Sequence, residues 1–216
     1  MKTIGFRMLS HAAILALLFS ASAHAEEKAS GSVSEQDLQA KLSYCQTCHG
    51  VSAQGFRGSN PMPRLAGQQT EYIVNQLQAF IEHRRSNPVM GNVAHALSPA
   101  MVAALAASFK SFDPPPLGGA PKDLVAQGKK IFEEGVPSAE VPPCASCHGD
   151  DAKGNGAFPR LAGQLNDYII RKVTNWSKER GLNPDKPDNS AMMVAITHNL
   201  TSEQLAAVAA YVSYLK

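Results

Sequence analysis

Two short segments of the 216-residue sequence carry residue types suited to metal and redox chemistry: Cys45-Gln46-Thr47-Cys48-His49-Gly50 and Cys144-Ala145-Ser146-Cys147-His148-Gly149. They hold all four cysteines of the chain, and in each the second cysteine is followed at once by histidine. Cys-x-x-Cys-His is the attachment signature of c-type haem: the thiols add to the porphyrin vinyl groups as thioethers, and the histidine reaches the iron as proximal ligand. Other chemistries fit less well. A disulfide framework would not require a histidine after each second cysteine. Structural zinc would need a fourth soft ligand that neither copy supplies, and a thioredoxin-like motif needs a βαβ setting that the surrounding sequence lacks. The expected cofactors are two covalently bound haem c groups, one on Cys45, Cys48 and His49, the other on Cys144, Cys147 and His148.

The sixth iron ligand separates an electron carrier from a site that activates a small molecule, because a thioether closes the iron and raises its potential. Outside the N-terminal leader the methionines are Met62, Met90, Met101, Met192 and Met193. Met62 aligns with Phe158 and Met101 with Gln204, which suits core packing for both. Met90 and Met193 occupy equivalent places, each seven residues before the leucine that precedes a final helix. They are the expected axial ligands, with Met192 as the rival in the second copy. His95 and His198, five residues further on, would give bis-histidine ligation instead, although a solvated histidine near a helix cap is the commoner role. His83, beside Arg84 and Arg85, has no counterpart and reads as exposed.

The elements that must position these residues are themselves repeated. Pro63-Arg64-Leu65-Ala66-Gly67-Gln68 matches Pro159-Arg160-Leu161-Ala162-Gly163-Gln164, Tyr72 matches Tyr168, and Met90, His95, Leu97 and Ser98 match Met193, His198, Leu200 and Thr201. Landmarks in one order, twice, imply a duplicated domain. The divisions expected are a leader over 1–25, a first domain over 26–113, a Pro/Gly-rich linker over 114–121 and a second domain over 122–216. Helical spacing predicts a helix from Ser34 to Tyr44 with Leu38, Leu42 and Tyr44 inward, and a counterpart capped by Asp123 and ending near Gly135. Further helices are predicted over 70–82 and 166–178. Ser98-Pro99 and the Thr201/Gln204 capping box open the last helix of each copy. No strand pattern appears, so the fold class is all-α.

Composition bounds the rest. Twenty Lys and Arg against 18 Asp and Glu leave too little excess charge for a strong nucleic-acid binder. Residues 1–25 have a basic start at Lys2 and Arg7, a short apolar run and the small-residue end Ala23-His24-Ala25. That is the pattern of an export signal cleaved after Ala25, placing the mature chain in the periplasm. Both leader charges are basic, so the remaining polypeptide is formally neutral.

The two Cys-x-x-Cys-His-Gly segments, the two Pro-Arg-Leu-Ala-Gly-Gln segments, the tyrosines and the methionines together resemble the dihaem cytochrome c4 family from about Ser34 to Lys216. The resemblance implies two class I cytochrome c domains related by pseudo-twofold symmetry, with haem edges facing. It implies an electron carrier rather than an enzyme, with no catalytic residue. Its partners would be redox proteins, a terminal oxidase or an upstream cytochrome complex, and it would associate peripherally with the membrane. The resemblance also implies that the Pro63 and Pro159 carbonyls accept the ring N–H of His49 and His148, and that Arg64 and Arg160 pair with haem propionates or lie at the surface. Two other roles compete: a haem subunit of a larger dehydrogenase such as a flavocytochrome sulfide dehydrogenase, and a dihaem peroxidase or thiosulfate-oxidising enzyme. The paired methionines argue against the last. Two departures stand out: the first copy lacks a counterpart to the helix glycine Gly128, and its loop from Val51 to Met62 is three residues longer.

Overall fold

A computed structural model describes residues 32–186 and 189–216. The expected export signal, over 1–25, lies outside the described residues. From Val33 to Lys216 the chain is one compact unit. Ten α-helices appear among the described residues, with isolated β-bridges and no strands. Four belong to the first half: α1 (Glu35–His49), α2 (Thr70–Ile81), α3 (Pro88–His95) and α4 (Pro99–Ser111). Six belong to the second: α5 (Val125–Glu134), α6 (Ala145–His148), α7 (Asn166–Thr174), α8 (Trp176–Glu179), α9 (Met192–Asn199) and α10 (Ser202–Tyr214). No single helix among them is long and apolar enough to cross a membrane.

Local chemistry starts and stops these helices. Ser98 Oγ accepts the Met101 N–H at 3.2 Å ahead of Pro99. Thr201 and Gln204 form a reciprocal capping box, the N–H of Gln204 reaching Thr201 Oγ1 at 3.2 Å and that of Thr201 reaching Gln204 Oε1 at 2.9 Å. Both satisfy backbone donors that a helix start leaves orphaned. α5 ends at Gly135. Three expectations need correction. α1 does not end at Tyr44 but runs on through the whole Cys-x-x-Cys-His segment, and Tyr44 is 59% exposed. Asp123 lies in a 3-10 turn, Lys122–Leu124, and the cap position of α5 is Leu124, which offers no oxygen. The helix predicted over 166–178 breaks at Asn175, whose side chain takes the carbonyl of Arg171 at 3.0 Å, a local bond that competes with continued helix.

Each half owns a core. In the first, Leu42, Ile73, Met101, Leu105 and Phe109 cluster where α1, α2 and α4 meet. In the second, Ile131, Phe132, Leu205, Val208, Tyr211 and Val212 do so between α5 and α10. The α5–α10 contact is the most extensive in the described chain, and Gly128 explains it. A Cβ there would sit 1.9 Å from the carbonyl oxygen of Ala207, so only glycine allows the two backbones to approach so closely. The α1–α4 pair, without such a glycine, packs less extensively.

The connection between the halves is tied down at several points. Arg64 donates to the carbonyls of Pro114 (2.8 Å) and Pro115 (3.4 Å), Arg57 to Gly119 (3.1 Å), and the Tyr214 hydroxyl to Ala120 (2.6 Å). The longer loop of the first half also reaches across, with Asn60 accepting a hydrogen bond from Arg171.

Candidate cofactor site

Cys45, Cys48 and His49 occupy the last turn of α1, and their helical spacing of three and four residues puts them on one face. Cys45 is half-buried against the first core and Cys48 is exposed. His49 is 7% exposed and its Nδ1 lies 2.8 Å from the carbonyl oxygen of Pro63. A carbonyl can only accept, so Nδ1 carries the proton and Nε2 keeps the lone pair. Burial lowers the pKa of His49, the Pro63 hydrogen bond opposes that, and the charge of Arg85 adds to it.

The second half reaches the same geometry by another local route. Its motif sits on the single-turn α6, with Cys144 half-buried at the cap position and Cys147 exposed. His148 is again 7% exposed, with Nδ1 2.9 Å from Pro159 O. Burial pushes its pKa down as well, and pushes the Cys144 thiol up to about 11.

The turn after each histidine is built alike. Gly50 (φ +88°) and Gly149 (φ +80°) take a backbone conformation that suits glycine. The histidine carbonyls accept the N–H of Gly55 and Gly154, each at 2.8 Å. The buried Ala53 and Ala152 carbonyls then bind the N–H groups of Leu65 and Ala66, and of Leu161 and Ala162, at 2.7–3.0 Å. These bonds hold each Pro-Arg-Leu-Ala-Gly-Gln segment against its own histidine.

Met90 is half-buried in the first turn of α3, its N–H held by Asn87 Oδ1 at 3.0 Å. Met193 is half-buried in the first turn of α9, whereas its neighbour Met192 is 52% exposed. Met101 belongs to the first core, and Met62 pairs through its backbone with Phe56. His83 is exposed. So are His95, whose Nδ1 faces Gly91 O at 2.8 Å, and His198, whose Nε2 faces Ser177 Oγ at 3.2 Å.

Arg64 and Arg160 are buried, at 3% and 7% exposure, so neither is a surface residue. Arg64 donates to the carbonyls of Ala66, Pro114 and Pro115. Burial and then the like charge of Arg160 bring its pKa down to about 10 against the pull of Asp113. Arg160 donates through Nε to Ala162 O at 2.9 Å and keeps a buried Nη2 with no partner.

A second arginine pair escaped the sequence reading. Arg85 and Arg180 bridge backbone to backbone between the halves. Arg85 stacks on Phe80 and Arg180 on Trp176, at 4.6 and 5.0 Å from the ring centres. Gln76 accepts from both guanidinium groups. The Nε atoms of both are buried without a partner. Glu179, a carboxylate whose charge acts on Arg85, is itself paired with Lys172. A one-residue gap after the Tyr72/Tyr168 match would have aligned these arginines.

The two glutamines that close the repeated hexapeptides also lacked an assigned role. Gln68 and Gln164, 5% and 7% exposed, bind the backbone of the opposite half.

The donor set fits two haem c groups. Each half presents two thiols and a buried imidazole whose Nδ1 is committed to a carbonyl, so that Nε2 holds the lone pair a metal would need. Buried guanidinium donors without partners suit carboxylates.

Residues 125–216 match the cytochrome c family. The chain is 38% identical over 208 residues to cytochrome c-552 of Acidithiobacillus ferridurans, covering 92% of this chain and 86% of that one. It is 33% identical over 170 residues to the thiosulfate dehydrogenase electron acceptor of Stutzerimonas stutzeri, covering 77% and 76%. Among solved structures, cytochrome c4 of Acidithiobacillus ferrooxidans superposes with a TM-score of 0.65 at 36% identity, over 80% of this chain and 99% of that one.

Proposed function

The chain belongs to the dihaem cytochrome c4 family, electron-transfer proteins with two covalent haem c groups, and we propose that it shuttles electrons in the periplasm with irons held by His49 and Met90 and by His148 and Met193. The observation that carries the ligand assignment is the matched pair of buried imidazoles, each with Nδ1 committed to a proline carbonyl and Nε2 left to bind metal. Each bound haem supplies an iron that exchanges one electron. Cys45 and Cys48, and Cys144 and Cys147, anchor the groups, and the Pro63 and Pro159 carbonyls orient the imidazoles. Arg85, Arg180 and Arg160 hold haem carboxylates, a role supported by their buried, unpartnered N–H groups. No side chain serves as acid, base or nucleophile.

The acceptor in this reading is a terminal oxidase. A second reading, favoured by the relative named as a thiosulfate dehydrogenase electron acceptor, has the chain take electrons from a sulfur-oxidising dehydrogenase. Stopped-flow mixing tests both. Reduced protein should be oxidised by purified terminal oxidase faster than by an unrelated haem oxidase. Oxidised protein should stay oxidised with thiosulfate and its dehydrogenase unless the second reading holds. Export is tested by fractionating cells that make the tagged chain, with the N-terminus of the periplasmic form expected at Glu26.

A further inference from the structure

Each buried glutamine grips a peptide group that belongs to the other half's histidine. Gln68 Oε1 accepts the N–H of Arg160 at 2.7 Å, and its Nε2 donates to Arg160 O at 3.1 Å. Gln164 does the same to Arg64, at 2.8 and 3.0 Å. Each amide oxygen also accepts the next N–H of its own chain, from Gln69 at 2.9 Å and from Leu165 at 3.0 Å. Two N–H groups converge on one oxygen, which settles which amide atom is which and locks the side chain.

The peptide gripped is the same one that orients the iron-binding ring. The N–H of Arg160 and the carbonyl of Pro159 form a single peptide unit: Gln68 holds its nitrogen end and His148 Nδ1 binds its oxygen end. In the mirrored unit, Gln164 holds the N–H of Arg64 while His49 binds Pro63 O. Hydrogen bonds in series through a peptide polarise one another, especially where water is excluded. Donation from the peptide N–H puts more negative charge on its carbonyl. That strengthens the bond from the histidine and makes the ring a more basic ligand. A more basic ligand favours Fe(III) and lowers the potential.

We propose that Gln68 and Gln164 are crossed positioning residues: Gln68, in the first half, sets the potential of the second haem through Arg160, Pro159 and His148, and Gln164 sets that of the first through Arg64, Pro63 and His49. The proposal rests on the assignment of His49 and His148 as iron ligands.

The test is a redox titration of the holoprotein, with each wave assigned to its haem by NMR, alongside the shift and solvent exchange of the histidine Nδ1–H protons. Gln68→Met keeps the bulk and removes the hydrogen bonds, so the second haem's potential should rise while the first stays in place. Gln164→Met should do the reverse. The Nδ1–H of the affected histidine should exchange faster in each case. Gln68→Glu retains the oxygen that takes the Arg160 N–H, and should hold the second haem at or below its native potential even if the methionine variant folds poorly. Equal shifts of both haems, a shift confined to the variant's own half, or no shift overturns the proposal. His148→Ala separates it from the underlying assignment: an unchanged low-spin spectrum there would sink the ligand reading itself.

Discussion

Arg85 donates through Nη2 to the hydroxyl of Tyr168 at 3.0 Å, joining the two halves, and Arg180 reaches back to Tyr72 at 3.5 Å in the mirrored contact. Two like charges are thus buried side by side at the interface. Burial and the charge of Arg85 push the pKa of Arg180 down. Such a pair is costly unless anions answer it, and the proposed assignment gives that task to the haem carboxylates.

Removing one of these charges should therefore be read by the iron. Arg85 acts electrostatically on His49, so Arg85→Gln should lower the potential of the first haem by making Fe(III) easier to hold. The fall should be on the order of 59 mV, a tenfold change for one electron. A redox titration in low salt checks it, and an unmoved first wave would count against carboxylate binding by Arg85.

Met90→Ala and Met193→Ala should each turn one haem high-spin and remove about half of the methionine-to-iron charge-transfer absorption. Met192→Ala, at an exposed position, should leave the spectrum alone. If Met192→Ala alters the spectrum and Met193→Ala does not, the second ligand is Met192.

Gly128→Ala should destabilise the second half, since the new methyl would meet the backbone of Ala207 rather than a side chain able to swing away. Overpacking of this kind costs about 1–3 kcal/mol or more. Gly91→Ala is the comparison: no other residue places an atom within 4 Å of its added methyl, so the change avoids the backbone clash, and a helical Gly→Ala change favours the helix by about 0.5–1 kcal/mol. Urea unfolding of the holoprotein compares the two.

Glu82 supplies a pH dependence. Hydrogen bonds from Arg84, Gln78 and Lys186 hold its carboxyl at about 2, below the ordinary 4.5. A depressed carboxylate contributes stability that is present above pH 4.5 and is lost as pH falls toward 2. Because Lys186 and Asn183 reach Glu82 from the other half, the hydrogen-exchange protection of that loop, corrected for the intrinsic rate at each pH, should fall over this window. Glu82→Gln should flatten the response, and an equally steep response in the variant would rule Glu82 out as its source.

What could be read in advance shares one physical trait: it depends on residues within a turn or two of each other. The Cys-x-x-Cys-His segments, the Ser98 cap, the Thr201/Gln204 box and the stop at Gly135 all act over short spans, so residue order alone determined them, and the repeat determined that the haem-attachment segment occurs twice. Local rules also explain the errors. Nothing near Tyr44 told α1 to continue through His49, where Cys45 packs against the first core, and the turn at Lys122–Leu124 displaced Asp123 from its capping place. Tertiary structure alone decided the fate of Arg85, Arg180, Gln68 and Gln164. Buried polar groups need partners, and theirs lie about a hundred residues away in the other copy. Exposed glutamines and arginines would have satisfied the same local sequence equally well. Only the packing of the two halves brings those distant partners within reach.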